Sequence, residues 1–398
     1  MLMDHFKMEG SVLKRYIGKE RTVIIPDGVT EIDISACASS RYTEEIYVPD
    51  SVKTIRKYAF SRCPHLKKVR LPSGLRCLSE HLFDECDDLR EIVLPPNLTV
   101  IEQFAFYQCE SLEKIVFPST LREIGDWAFY NCKSLKEIII PETISQIGNR
   151  CFYGCEHLRE ITLPESLKKI GKCAFFYCEN LKKVNFPKNL TDIDDFAFSG
   201  CTRIETLAIP EGINRIGEGA FQGCDRLHDV VFPNKSFYIE EQAFYNCKKL
   251  ETLKLPPNLK IKNAILGKES ETMIFAPHLT LEDILSAYFV SRYSVCIWRA
   301  FVRAKDQYPK ETADAYTEQI RKTRKSLYNA ALNDHALLYF MLEQKMFSAE
   351  ETDMLLKHLN KKGETELTAI FLRYKYELAD DNDPFKDLSL DDLWTKWE

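Results

Sequence analysis

Cysteine is the residue type that most invites a chemical reading. The chain of 398 residues holds 14, and nine of them (Cys63, Cys86, Cys109, Cys132, Cys155, Cys178, Cys201, Cys224 and Cys247) recur every 23 residues. A thiolate can attack an electrophile, ligate a metal or close a disulfide. Metal binding needs ligands clustered as C-x₂-C pairs or with histidines at short spacing. The close pairs here are Cys151/Cys155 and Cys173/Cys178, and the second member of each belongs to the 23-residue series. The eight histidines (His5, His65, His81, His157, His228, His278, His335 and His358) are scattered and none is paired at ligand spacing. The sequence has no phosphate-binding loop, nucleophile elbow or HExxH motif. Residues 380–383 resemble the start of a calcium loop but lack its sixth-position glycine and twelfth-position glutamate. The expectation is a non-enzymatic protein with no metal, no cofactor and no catalytic residue. Nine equivalent thiols point to packing, where cysteine acts as a small hydrophobe.

The elements that position these thiols follow from the same period. Phe60, Phe83, Phe106, Phe129, Phe152, Phe175, Phe198, Phe221 and Phe244 stand three residues before each cysteine, and Leu or Ile three residues after it. Prolines repeat in register from Pro26 to Pro256. One rung reads L-x-x-[IV]-x-[LIF]-P-x-x-[LIV]-x-x-I-G-x-x-A-F-x-x-C-x-x. In Leu135-Lys136-Glu137-Ile138-Ile139-Ile140 the alternation of inward Ile138 and Ile140, with β-branched side chains, predicts a short strand. Pro141 then ends it, having no N–H to donate to a ladder. The return limb spaces Phe129, Cys132 and Leu135 by three, which predicts a 3₁₀-like turn. A rung cannot bury its apolar residues alone, so identical rungs must stack into one continuous core.

This motif resembles the BspA-type leucine-rich repeat, I-P-x-x-V-x-x-I-G-x-x-A-F-x-x-C-x-x-L. Residues 141–163, PETISQIGNRCFYGCEHLREITL, and 210–232, PEGINRIGEGAFQGCDRLHDVVF, carry it best. The opening 12–32, VLKRYIGKERTVIIPDGVTEI, is similar to the N-terminal cap of bacterial members. The resemblance implies an α+β repeat protein: a leucine-rich-repeat solenoid of 23-residue rungs with parallel strands and a short 3₁₀/turn convex side, then an all-α domain. It implies interaction modules, several of them surface adhesins. Departures fall at the ends. Cys37 replaces the ladder phenylalanine, Ser40 replaces the cysteine, and the frame dissolves after Pro256. The expected domains are a solenoid over 1–277, with its cap at 1–25 and a terminal rung, a helical domain over 278–378, and an acidic tail over 379–398.

On such a solenoid the outward strand residues line the concave face. One column holds Val93, Val116, Ile139, Thr162 and Asn185, flanked by the charged column Glu91, Lys114, Glu137, Glu160 and Lys183. Its apolar stripe is a candidate partner-binding strip, although β-branched residues are also simply good strand formers. A second candidate is the column Tyr107, Tyr130 and Tyr153, since tyrosine suits interfaces. It suits an ordinary rung surface equally well.

Helical patterning takes over from about Thr280, with helices expected at 280–290, 293–307, 311–332, 335–345, 349–360 and 364–378. Thr280 and Ser348 read as N-caps, and Asn333-Asp334 and Lys362-Gly363 as breaks. Two helix pairs here resemble degenerate ankyrin units, without the T-P-L-H tetrapeptide. The formal charge of −6, of which 379–398 contribute −5, gives no reason to expect nucleic acid as a partner. The tail's Phe385, Leu388, Trp394 and Trp397 among acids read as a docking segment or as a cover for the helices.

No signal peptide or membrane-spanning stretch is visible, and ladder thiols about 5 Å apart would be prone to cross-bridging where oxidants are present unless side-chain direction forbids it. The location expected is cytoplasmic, with the cell surface as the alternative. The function expected is a scaffold for an unidentified protein partner, with a surface or secreted adhesin as the alternative.

Overall fold

The structure, a computed structural model, describes residues 5–250, 252–256, 259–261, 265–266, 273–275, 301–302, 310–332 and 335–379. The chain divides into two compact units, Met1–Tyr293 and Ser294–Glu398.

Every rung of the first unit begins with the expected strand. Glu137–Ile139 lies parallel to Glu160–Thr162, with Ile138 opposite Ile161 and Ile139 opposite Thr162. Ile138 and Ile140 are buried while Ile139 faces out, as alternation requires. The series starts with Thr22–Ile24, Glu45–Tyr47 and Lys68–Arg70. Among the described residues its last pair is Thr252–Lys254 against Met273–Phe275, where Leu253 opposes Ile274. Parallel pairing therefore outlasts the motif, which dissolves at Pro256.

Each rung also carries a second strand that the pattern did not predict. Val100–Ile101 pairs in parallel with Cys77–Leu78 on one side and Glu123–Ile124 on the other. From Gln146–Ile147 to Lys260–Ile261, six such strands form one sheet. Two residues with one inward isoleucine are too short to show a period of two. At the N-terminus Phe6–Glu9 and Val12–Tyr16 form an antiparallel hairpin turned at Gly10, and Val12–Tyr16 pairs in parallel with Glu31–Ile32. Lys7 and Glu9 stay exposed on the outer strand, charges that discourage further pairing there.

The return limb is a run of short turns, as its spacing suggested. The i→i+3 bonds exist: the Cys109 N–H donates to the Phe106 carbonyl and the Leu112 N–H to that of Cys109. Phe104 and Gln108 between them adopt the left-handed conformation, φ +59° and +57°, which breaks any helix. Their amides and that of Phe106 turn outward to the carbonyls of Asp126, Tyr130 and Ala128 in the next rung. A 3₁₀ helix would hold those donors within the limb; sharing them across rungs couples the stack. The core inside is regular. All nine ladder phenylalanines are fully buried, and successive rings stack with centroids 5.1–5.7 Å apart. Rungs approach so closely that a Cβ on Gly217 would lie 2.6 Å from the backbone nitrogen of Asp195.

In the second unit four helices are described: α1 (Lys310–Ala331), α2 (His335–Glu343), α3 (Ala349–Lys362) and α4 (Thr365–Ala379). They fall where the last four helices were expected. The expected helices at 280–290 and 293–307, the Thr280 cap, the Asn333-Asp334 break and residues 380–398 lie outside the described residues, apart from helical 301–302. Ser348 and Glu351 form a capping box on α3. Gly363 closes that helix at φ +75°, a conformation glycine adopts without strain. The Tyr374 hydroxyl on α4 donates to the Phe347 carbonyl at 3.0 Å, and the Phe347 ring meets Phe371 edge-on.

Candidate interaction surface

The ladder cysteines occupy equivalent seats. Cys63, Cys86, Cys109, Cys132, Cys155, Cys178, Cys201, Cys224 and Cys247 are all buried. From Cys86 to Cys247 each Sγ donates to the carbonyl of the phenylalanine 26 residues earlier, at 3.0–3.5 Å. Cys63 instead reaches the carbonyl of Cys37, which stands where the phenylalanine is missing. A thiol fits an apolar site and still offers a weak donor, which neither alanine nor valine does. Burial also disfavours the thiolate: it pushes Cys63 up to about 11 and raises the rest of the ladder too. Nucleophilic chemistry is thereby suppressed. Among the described residues no group of three or more His, Cys, Asp or Glu is placed to hold a metal.

The first strand of each rung puts the candidate strip on its outer side, with Ile139 and Thr162 at the ends of their strands and Val93, Val116 and Asn185 directly after theirs. Val93, Val116 and Ile139 are 84%, 66% and 68% exposed on three consecutive rungs, and exposed Thr162 and Asn185 continue the column. Ile24 and Val231 share it but are separated from the stripe by polar or small residues. Arg70, next to Val93, is tied back to Asp50 and to the carbonyl of Val48. Around Ile139 and Thr162 the exposed carboxylates of Glu137, Glu142, Glu160 and Glu165 have no ion-pair partner among the described residues. Glu137 and Glu160 stand directly opposite each other in the ladder, where like charges are destabilising.

Tyr107, Tyr130 and Tyr153 are half-buried on the return limb. Tyr107 stacks on Tyr130 at 4.9 Å, Tyr130 on Tyr153 at 4.7 Å, and Tyr153 on Phe176 at 4.9 Å. Their faces cover one another, so mainly ring edges are left for a partner. A neighbouring column escaped the sequence reading. Tyr58, His81, Phe104 and Trp127 stack in series, and the Arg150 guanidinium lies 4.5 Å from the Trp127 ring. All five hold positive φ, a conformation that usually costs a bulky residue about 1–2 kcal/mol. The 23-residue spacing was the available signal, five positions before each cysteine. His81 Nδ1 lies 3.1 Å from Oδ2 of Asp84. Asp84 is only 6% exposed and its Oδ1 has no hydrogen-bond partner. Burial pushes its carboxyl above the ordinary range, partly offset by His81.

A stacked parallel solenoid with an exposed strand face defines a repeat protein of the leucine-rich class. The model of the BspA type leucine rich repeat region, in six copies, matches residues 30–159 and 145–273, more than half of the chain, and the chain belongs to that family. Leucine-rich-repeat proteins generally act in protein–protein interaction, and the solenoid is typically a non-enzymatic scaffold. A leucine-rich repeat protein from Bacteroides ovatus is 25% identical, with a TM-score of 0.56 over 69% of this chain and 86% of its own. One from T. pallidum is 34% identical over 43% of this chain and 83% of its own, with a TM-score of 0.42. A leucine rich cell surface protein from Faecalibacterium prausnitzii is 21% identical, with a TM-score of 0.40 over 72% of this chain and 96% of its own. The search of curated proteins returned no match. Among the described residues no helix is long and apolar enough to cross a membrane.

Proposed function

We propose that this chain is a non-enzymatic interaction scaffold that captures a protein partner on the outer face of its long strands, centred on Val93, Val116 and Ile139. One observation carries the reading. Three large aliphatic side chains lie exposed on three consecutive stacked rungs whose inward positions, Ile92, Ile115 and Ile138, are all buried. A contiguous exposed apolar patch marks an interaction surface more often than isolated exposed residues do. The tyrosine column is the weaker candidate, because its ring faces are already covered. The helical unit, with its ankyrin-like helix pairs, is proposed as a second scaffold in series.

Val116→Asp in the full chain tests this. The residue is exposed, so thermal unfolding should be unchanged, while binding of the protein that co-purifies with the natural chain should weaken about tenfold or more. Unchanged binding would remove the strip as the recognition surface. A reducing, cytoplasmic location is proposed on the ground that the ladder thiols serve as hydrogen-bond donors to backbone carbonyls, which disulfides could not do. Protein taken from its own cells should yield every cysteine as a free thiol after denaturation. Bridged cysteines would place it in an oxidising compartment.

A further inference from the structure

We infer that the segment recognised by this strip is an amphipathic helix lying along the solenoid axis, apolar on one face and basic towards the Ile139–Thr162 end. The inference rests on the proposed binding role of the strip and adds the chemistry of the partner. Spacing supplies the first argument. Val93, Val116 and Ile139 come from consecutive stacked rungs: Glu91 lies opposite Lys114 in one hydrogen-bonded sheet and Ile139 opposite Thr162 in a second, and the strands Lys114–Ile115 and Glu137–Ile139 are in contact between the two. Hydrogen-bonded strands repeat about every 4.8 Å. A helix presents one face every turn, about 5.4 Å, so over two rungs its side chains drift by only about 1 Å from the stripe. A strand laid along the same axis presents one face about every 6.7 Å and drifts by about 4 Å. Residues at i, i+3 or i+4, and i+7 of a helix therefore match three successive aliphatic side chains.

Charge supplies the second argument. Glu137 and Glu160 flank the column on one side and Glu142 and Glu165 on the other, all four exposed. No ion pair within the described residues relieves them, although Glu137 and Glu160 face each other in register. Beside the aliphatic part of the stripe stand Arg70, whose guanidinium is already paired with Asp50, and Lys114, and Lys183 and Lys188 follow only a rung beyond the carboxylates. An occupant with lysine or arginine one to two turns past its apolar contacts would neutralise this repulsion. An acidic occupant would deepen it.

The test is selection of a displayed library of random 16-residue peptides on the full chain, counter-selected on the Val116→Asp variant. The expected pool carries apolar residues at intervals of three and four with basic residues on one flank. Its members, synthesised, should become helical on binding and bind the Glu137→Lys/Glu160→Lys variant about tenfold more weakly. A pool that depends on Val116 yet shows alternating apolar residues or no basic bias overturns the helix and leaves the strip as a binding surface. If no peptide distinguishes the natural chain from Val116→Asp, both readings fall. Unchanged thermal unfolding of both variants confirms that the losses are local.

Discussion

At the scale of single residues, the recurring cysteine is explained by two demands at one seat: a small apolar volume and a donor for the carbonyl of the preceding rung's phenylalanine, as between Cys132 and Phe106. Asp84 is the residue least at ease with its surroundings. Its carboxyl is raised above the ordinary range by burial, so ionising it costs more in the folded chain than in the unfolded one. That penalty is absent below the unfolded carboxyl's range and grows as pH rises through the folded value. Asp84→Asn keeps an acceptor for His81 Nδ1 and removes the charge. The variant should be more stable by about 1 kcal/mol at pH 7.5, with the gain shrinking as pH falls towards 4, read from urea unfolding at several pH values. A loss of stability at pH 7.5 would show that the His81 contact outweighs the cost of burial.

At the scale of elements, the long strand was legible because it has the two features sequence reports well, alternation and a terminal proline. The second strand was not, because two residues carry no period. The return limb was legible as short turns but not in its hydrogen bonding. Spacing by three marks which side chains point inward but is silent on where the amides go, and here they alternate between the limb and the next rung. The apolar strip and tyrosine column could be written down from the 23-residue frame, whereas the stacked faces of the tyrosines, the unpaired oxygen of Asp84 and the unrelieved carboxylates around Ile139 needed coordinates. The N-cap at Ser348 was legible, and the structure adds its reciprocal bond with Glu351. Ser348→Ala should therefore cost about 1 kcal/mol, seen as faster hydrogen exchange at the first-turn amides of α3, while Ser348→Asp should largely preserve protection.

At the scale of the whole molecule, the solenoid is a one-dimensional stack in which each rung contacts its neighbours, so its stability depends on whole rungs and their interfaces. Deleting residues 136–158 removes one full period and joins Leu135 to Arg159, which restores the register of strand, phenylalanine and cysteine. That variant should fold with the same β-type circular dichroism and unfold cooperatively at a lower temperature. Deleting only 136–147 shifts the inward columns out of line and should abolish cooperative unfolding. The central claim is that the nine-fold register of Phe, Cys and Leu marks a shared interior in which thiols fill space and do not react. Alkylation of the intact chain, followed by mass spectrometry of each cysteine, tests it most directly. The account predicts that half-exposed Cys77 labels first among the described cysteines and that the nine ladder thiols stay unmodified until the solenoid unfolds, then label together. Labelling of ladder cysteines in the native chain at the rate of an exposed thiol would contradict it.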